Sequence, residues 1–262
     1  MNPFAIIAAS LALGLALSAC GKSDPEDNKL VVGMELEYPP FETVDDEGQP
    51  AGVSVDLARA LGEHLNREVE IRDFKFKGLP AALSTGKVDL VISSMTPTPE
   101  RRKVIDFSDA YARTGLALLV QEGSRLTGPD SLDDESVRIA VKTGTTGEMF
   151  AEKQFPSAKL IRLDHAGACA IEVAQGKADA FIYDQFSVLE FAENHPGTEP
   201  RPEPIRSEQW AIGLRKGDEE LKQEVNAFLK AFRKDGGFDR LSDKHLDVQK
   251  ARFEKAGIPF IF

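Results

Sequence analysis

The feature that most constrains the fold is an alternation of strand-like and helix-like segments that starts at Lys29 and occurs twice. Short apolar runs typical of buried strands are separated by stretches with apolar residues at helical spacing, as at 53–65. This order is typical of parallel sheets covered by helices. The pattern restarts after Leu126. We therefore predict an α/β protein with two lobes, each a mostly parallel sheet flanked by helices.

The predicted elements follow from this periodicity and from the glycines that end the helices. Strands are predicted at 30–35, 69–74, 88–93, 137–141, 159–163, 178–183 and 210–216. Helices are predicted at 53–65, 79–83, 147–154, 168–175, 185–194, 218–236 and 238–246, and the apolar end at 258–262 is expected to pack on the body.

An internal similarity relates the two predicted lobes. Residues 82–94 and 172–184 both contain a helix, a glycine, Lys-x-Asp and an apolar strand. Ser94 in the first copy corresponds to Asp184 in the second, and both lie just past the carboxyl end of a strand. Ligands bind at that edge of open α/β sheets. We therefore expect the two positions to line one cleft.

Polar residues at these strand ends indicate a site for a small anion. Ser94, Thr96 and Arg101 follow the predicted strand at 88–93, and a guanidinium grips a carboxylate through two charge-assisted bonds. The segment 142–147, Lys-Thr-Gly-Thr-Thr-Gly, opens a helix, whose free N–H groups bind anions. It lacks nucleotide-loop spacing. Asp184 is either a helix cap or an acceptor for an ammonium group.

The first 20 residues predict a lipoprotein signal peptide. They carry no charged side chain, and Leu17-Ser18-Ala19-Cys20-Gly21 resembles a bacterial lipobox, in which Cys20 is lipidated after cleavage. The alternative is an ordinary signal peptide with an incidental cysteine. Residues 21–28 are polar and are expected to form a tether. The other cysteine, Cys169, lies on a predicted apolar helix face and is expected to be a buried thiol.

Composition excludes several function classes. A formal net charge of -11 argues against nucleic-acid binding, which needs a basic surface. The four histidines are scattered and form no metal-binding spacing, so we expect no metal and no cofactor.

The segments at 37–61, 78–111, 141–148 and 178–184 together resemble the bacterial polar amino-acid-binding proteins, the extracytoplasmic receptors of ABC importers (solute-binding protein family 3). The resemblance runs from about Lys29 to the last helices. It implies a clamp with lobe 1 at 29–112 plus 210–262, lobe 2 at 113–209, and hinge strands near 111–114 and 209–212. It also implies a free amino acid as ligand and ABC permease subunits as partners. Together with the lipobox-like segment at 17–21, it leads us to expect a lipid-anchored monomer at the periplasm or cell surface.

The same resemblance implies residue roles. Tyr38 and Phe76, which on their own could equally be core, match aromatic walls of the ligand site. Thr96 and Arg101 match the α-carboxylate grip, helped by the N–H of Thr146, and Asp184 matches the α-ammonium acceptor. The remaining implied ligand-binding residues are Glu35, Ser94, Met95, Lys142 and Thr145.

Glu35 and Lys142 bear on ligand identity. An anion and a cation on opposite sides of a side-chain pocket suit an amide, which is both donor and acceptor. We therefore rank glutamine above arginine or lysine. Two alternatives remain: a ligand-sensing receptor with a signalling partner, and a cyclohexadienyl dehydratase-like enzyme of the same fold. The second is disfavoured because Ser187 stands where such enzymes have a glutamate.

Overall fold

A computed structural model describes residues 28–260 of the chain. It confirms the predicted two-lobed α/β architecture, with helices flanking a central eight-stranded sheet. The strands are β1 Lys29–Met34, β2 Thr43–Val44, β3 Pro50–Ala51, β4 Glu68–Asp73, β5 Leu90–Val91, β6 Ile105–Gln121, β7 Arg138–Lys142, β8 Lys159–Leu163, β9 Ala180–Asp184 and β10 Thr198–Arg215. The helices are α1 Val53–His64, α2 Leu79–Ser84, α3 Thr146–Gln154, α4 Ala166–Ala174, α5 Gln185–Asn194, α6 Glu219–Lys234, α7 Gly237–His245 and α8 Asp247–Ala256.

The sheet contains two parallel sets of strands joined by two long strands. Its order is β4-β1-β5-β10-β6-β9-β7-β8. β1 is parallel to β4 and β5, whereas β7 is parallel to β8 and β9. β10 runs antiparallel to both β5 and β6, and β6 runs antiparallel to β9. We expected a separate sheet in each lobe, but hydrogen bonds through β6 and β10 connect the two sets into one ladder.

The segments predicted as hinge strands lie in the middle of these two long strands. β6 pairs with β9 at 116–120, and β10 pairs with β5 at 213 and 214. Between these regions β6 and β10 pair only with each other, with Gln209 opposite Arg113 and a bulge after Trp210. The hinge role and the lobe boundaries at 112, 113, 209 and 210 remain predictions.

Apolar side chains form a separate core on each side of this crossing. Leu30, Val32 and Leu57 are fully buried in the core that α1 covers. Ile139 and Ile182 are fully buried in the other lobe. Cys169 is also fully buried there, on α4, and burial raises the pKa of its thiol to about 12. It is the buried thiol that we expected.

Some elements differ from their predicted extents. β5 is only two residues long, and β10 begins at Thr198 instead of 210. Helix α8 was not predicted. Ile258 and Phe260 pack against the core, with the Phe260 and Phe253 ring centroids 5.5 Å apart, as expected for the apolar end. The predicted signal peptide at 1–20 with Cys20, the tether up to residue 27 and the last two residues lie outside the described part of the chain.

Candidate functional site

One cavity lies where the strand ends of the two lobes meet, and its empty volume is about 460 Å³. Ser94 and Asp184, the two positions related by the internal similarity, both line it, as expected. The predicted site residues that line the cavity are Glu35, Tyr38, Phe76, Ser94, Thr96, Arg101, Thr145, Thr146 and Asp184.

Two predicted site residues do not line the cavity. The side chain of Met95 is fully buried in the core beside α2, so this residue is a packing position. Lys142 is 2% exposed and is not among the residues that line the cavity. Sequence reasoning missed other lining residues, namely Glu42, Ser93, Leu116, Tyr183, Glu208 and Trp210.

Arg101 is the buried cation of the cavity, with only 5% of its surface exposed. Its Nη1 donates to the Thr96 carbonyl at 2.6 Å, and its Nη2 donates to the Gly144 carbonyl at 2.9 Å. Its guanidinium lies 5.2 Å from the centroid of the Phe76 ring, a cation–π distance. Burial lowers the pKa of Arg101 to about 10, while the Glu208 carboxylate opposes that shift. The guanidinium therefore remains charged at neutral pH.

The hydroxyls of Thr96 and Thr146 point at one place beside Arg101. They donate to the same oxygen, Oε2 of Glu208, at 2.9 and 2.8 Å. Thr146 begins α3, whose N-cap is Thr145, so the start of a helix faces this point. Two hydroxyls, a helix N-terminus and a guanidinium together form a carboxylate-binding arrangement. In this structure a carboxylate of the chain itself accepts the hydroxyl bonds.

Asp184 is both a helix cap and a cavity residue. It precedes α5, and its Oδ1 accepts a hydrogen bond from the Ser187 N–H at 3.1 Å. Burial raises the pKa of its carboxyl to about 6, although the bond from Ser187 favours the ionised form. Within residues 28–260 no cation pairs with this buried carboxylate, which is therefore suited to bind an ammonium group.

Glu35 and Lys142 form an ion pair across the cleft. Their side chains are 4% and 2% exposed, and Lys142 Nζ donates to Glu35 Oε2. The second oxygen, Oε1, accepts the N–H of Phe76 at 3.1 Å. We expected these two charges on opposite sides of a side-chain pocket. The structure instead joins them directly in one buried ion pair.

Glu42 is a buried carboxyl that the sequence did not reveal. Its Oε2 accepts hydrogen bonds from Ser54 at 2.5 Å and Ser94 at 3.1 Å. Burial raises the pKa of Glu42 to about 8, against the effect of these hydroxyls. The one sequence feature that could have indicated its burial is its position directly after Phe41, which is buried. Asp45 and two more acids follow closely and are exposed, so the sequence did not set Glu42 apart from them.

The loop before α3 closes against the opposite lobe. Gly144 has φ +78, and a Cβ there would come within 2.9 Å of the Lys77 side chain, so only glycine fits without a shift. The same residue supplies the carbonyl that Arg101 binds. Nearby, His165 Nδ1 lies 2.7 Å from Glu37 Oε2, again between lobes. The described structure is therefore a closed arrangement.

Ser94 has a backbone conformation that is uncommon for a residue with a side chain. Its φ is +47, in the left-handed region. Such strain costs of order 1–3 kcal/mol and occurs often at functional sites. Here it accompanies the hydrogen bond between the Ser94 hydroxyl and Glu42 in the cavity wall.

The residues that the structure describes, 28–260, hold neither a metal-binding cluster nor a membrane-spanning helix. No group of three or more His, Cys, Asp or Glu side chains is placed to hold a metal ion. No helix in this range combines the length and the apolar character that crossing a membrane requires.

Comparison with known proteins gives consistent results. The family model for bacterial extracellular solute-binding proteins, family 3, matches residues 30–248. The L-cystine-binding protein TcyJ of Escherichia coli is 30% identical, covering 84% of this chain and 83% of its own. The ABC transporter glutamine-binding protein GlnH of Bacillus subtilis is 26% identical, covering 86% and 84%. A solved structure of an ancestral arginine-binding protein bound to glutamine is 32% identical with a TM-score of 0.76, covering 84% and 98%.

Proposed function

The chain belongs to family 3 of the bacterial extracellular solute-binding proteins, and from that premise we propose that it is the amino-acid receptor of an ABC importer. In this proposal Arg101, Thr96 and Thr146 bind the α-carboxylate. Asp184 binds the α-ammonium group, and the aromatic rings of Tyr38 and Phe76 flank the ligand. Release of the amino acid to the permease subunits then requires the lobes to separate.

The observation that carries the proposal is the separation of charge inside one cavity. The buried guanidinium of Arg101 and the buried carboxylate of Asp184 both line it, and no ion pair to Asp184 forms within residues 28–260. A zwitterion neutralises both, whereas a simple anion or cation leaves one buried charge uncompensated. Such a charge is costly in a desolvated site.

For the side chain of the ligand we propose a polar, uncharged group, with glutamine first. The Glu35–Lys142 pair has no net charge, so it does not favour a charged side chain, and Glu35, its member in the cavity wall, offers carboxylate oxygens as acceptors for an amide N–H. Arginine or lysine is the second candidate, because a side-chain cation beside Glu42 would favour the ionised form of that carboxyl, which burial otherwise keeps protonated, while Asp184 binds the α-ammonium group.

The place of action follows from the family and from the first residues. Members of this family are extracytoplasmic, and we propose that this chain is tethered to the bacterial membrane through a lipidated Cys20. Two or more acyl chains give stable anchoring where one does not. We propose that it acts as a monomer. Mass analysis of membrane-derived protein tests the anchor, because an unmodified cysteine at position 20 contradicts it.

A sensing role with a signalling partner shares this same site, and transport assays separate the two roles. The dehydratase alternative has little support. Ser187 at the start of α5 has no carboxyl to act as the acid, and its N–H is bound to Asp184. Incubation with prephenate should therefore give no decarboxylated product.

The experiment that tests the proposed function is a thermal-shift screen of the twenty amino acids. A ligand at 100 times its Kd adds about 2.7 kcal/mol to the free energy of unfolding. We expect a small set of polar amino acids, glutamine among them, to raise Tm by several degrees. No shift with any of the twenty contradicts the proposal.

A further inference from the structure

The carboxylate of Glu208 takes up the two threonine hydroxyls that the proposed function gives to the ligand carboxylate, while the guanidinium of Arg101 donates to the carbonyls of Thr96 and Gly144. Oε2 of Glu208 accepts both hydroxyl bonds of the grip, from Thr96 and from Thr146. A hydroxyl has one proton to donate. While Glu208 holds both protons, neither hydroxyl is able to donate to an incoming carboxylate.

Arg206 holds the other side of Glu208. Its Nε donates to Glu208 Oε1 at 3.0 Å, and its Nη2 forms an ion pair with the same oxygen. Residues 206 and 208 are two apart on β10, so their side chains project from the same face of the strand. The Glu208 side chain is 3% exposed, against 35% for Arg206. Glu208 is thus a buried bridge between a partly exposed cation and the grip.

There is space next to Glu208 into which its carboxylate could move. A second cavity lies on the far side of the wall formed by Thr96 and Glu208 and is also lined by Arg113. The space is continuous with solvent and measures about 1070 Å³ with that solvent included, and Arg113 is exposed there without an ion pair among the described residues. Rotation of the Glu208 side chain toward this space would free the two threonine hydroxyls without moving β10.

We propose that Glu208 is an internal competitor for the α-carboxylate site. Its carboxylate accepts the hydrogen bonds of the Thr96 and Thr146 hydroxyls in the unliganded protein and is displaced from them when an amino acid binds. This inference rests on the proposed function. The competition lowers affinity in proportion to the fraction of molecules whose grip is free. Glu208 also accepts the hydrogen bonds of the Thr96 and Thr146 hydroxyls, so neither of these two buried hydroxyls is left without an acceptor.

The test compares Glu208→Gln with wild type by isothermal titration with glutamine and with arginine. Glutamine at this position still accepts a hydrogen bond but carries no charge, so it competes less well. We expect the ligand that wild type binds better to bind Glu208→Gln about tenfold more tightly than it binds wild type. That factor corresponds to a carboxylate grip that is free in about one wild-type molecule in ten. Glu203→Gln is the matched control, because it removes the same charge from an exposed position of β10 and should leave the affinity unchanged.

Decarboxylated ligands separate competition from a general change of charge. Agmatine and 4-aminobutanamide are arginine and glutamine without the α-carboxylate. They should bind no more tightly to the Glu208→Gln protein than to wild type, since they do not use the grip. Tighter binding of these amines contradicts the inference. Glu208→Ala, which frees both hydroxyls completely, provides the same comparison if the glutamine variant does not fold.

The outcomes distinguish the two proposals. Amino-acid binding by wild type with an equal or weaker affinity in both Glu208 variants contradicts the inference alone. Weaker binding would mean that Glu208 orients the threonines for the ligand. Absence of binding by wild type and variants contradicts the proposed function and, with it, the inference.

Discussion

Replacing Lys142 with methionine should strongly destabilise the closed protein. Methionine has a similar length but no charge, and it would leave Glu35 buried without its partner. The two side chains are 2% and 4% exposed, so water does not reach either charge. Among residues 28–260, the other hydrogen bond to the Glu35 carboxylate comes from the N–H of Phe76, which does not neutralise it.

The size of the effect follows from this burial. Two unit charges at about 4 Å interact by roughly 4 kcal/mol at an effective dielectric constant of 20. Removal of one partner from a buried pair costs about 3–5 kcal/mol, because the other charge stays desolvated. We therefore expect Lys142→Met to lower the free energy of unfolding by about that amount. The double variant Glu35→Gln/Lys142→Met should regain most of the loss, since no uncompensated charge remains.

Urea denaturation of the unliganded proteins at neutral pH measures these differences. Lys177→Met is the matched control. Lys177 lies in the same lobe, and its side chain is 61% exposed in a pair with Glu172 at 3.7 Å, so its loss should cost under about 1 kcal/mol. A Lys142→Met protein as stable as this control would refute the reasoning, because it would show that water reaches Glu35 in the unliganded protein. The variant should also shift its preference toward arginine, whose cation would pair with Glu35.

Asp184, Glu42 and the predicted lipidation of Cys20 each give a further prediction. Binding of the ammonium group needs ionised Asp184, whose pKa is about 6. Amino-acid affinity should therefore fall up to tenfold per pH unit below about pH 6. Asp184→Asn should bind weakly with no such pH dependence, and titration calorimetry at several pH values measures both. The raised pKa of Glu42, about 8 against the usual 4.5, means that its stabilising contribution is present below about pH 4.5 and is lost as pH rises through 8. Glutamine does not ionise, so the free energy of unfolding of Glu42→Gln minus that of wild type should be larger at about pH 9 than at about pH 5. Urea denaturation at both pH values measures this difference, and an equal difference at the two pH values argues against a buried acid. Cys20→Ala should move the protein from the membrane to the soluble fraction without changing amino-acid affinity, and a variant that stays membrane-bound contradicts lipid anchoring.

The sequence predicted the elements whose apolar periodicity is strong. Strand β8 and helix α5 have the predicted limits, and α1 and α3 differ by one residue at an end. Helix α8 was missed because Val248 and Phe253 are its only large apolar residues, too few to mark a face. The first half of β10 was missed because it contains three prolines. Since β5 pairs with β10 only at 213 and 214, that half has a partner on one side alone, and prolines are tolerated there.

Within the site, the sequence located residues at strand ends but not their partners. The edge of the sheet brings Ser94, Arg101 and Asp184 to one cavity, as topology requires. The direct pairing of Glu35 with Lys142 depends on how far the lobes close, which no local pattern encodes. Glu208 lies in a polar, proline-rich stretch that resembles a loop, and only the crossing of the long strands places it beside the threonine hydroxyls.

The central claim is that Arg101 binds the carboxylate of an amino acid, and isothermal titration of Arg101→Ala beside Arg102→Ala tests it most directly. Arg101 is buried in the cavity, whereas Arg102 is exposed and does not line it. With the amino acid that wild type binds best, Arg101→Ala should weaken binding by at least about a hundredfold, because loss of a desolvated charge partner costs about 3–5 kcal/mol. Arg102→Ala should bind almost as wild type does. An Arg101→Ala protein that binds within about threefold of wild type would contradict the account.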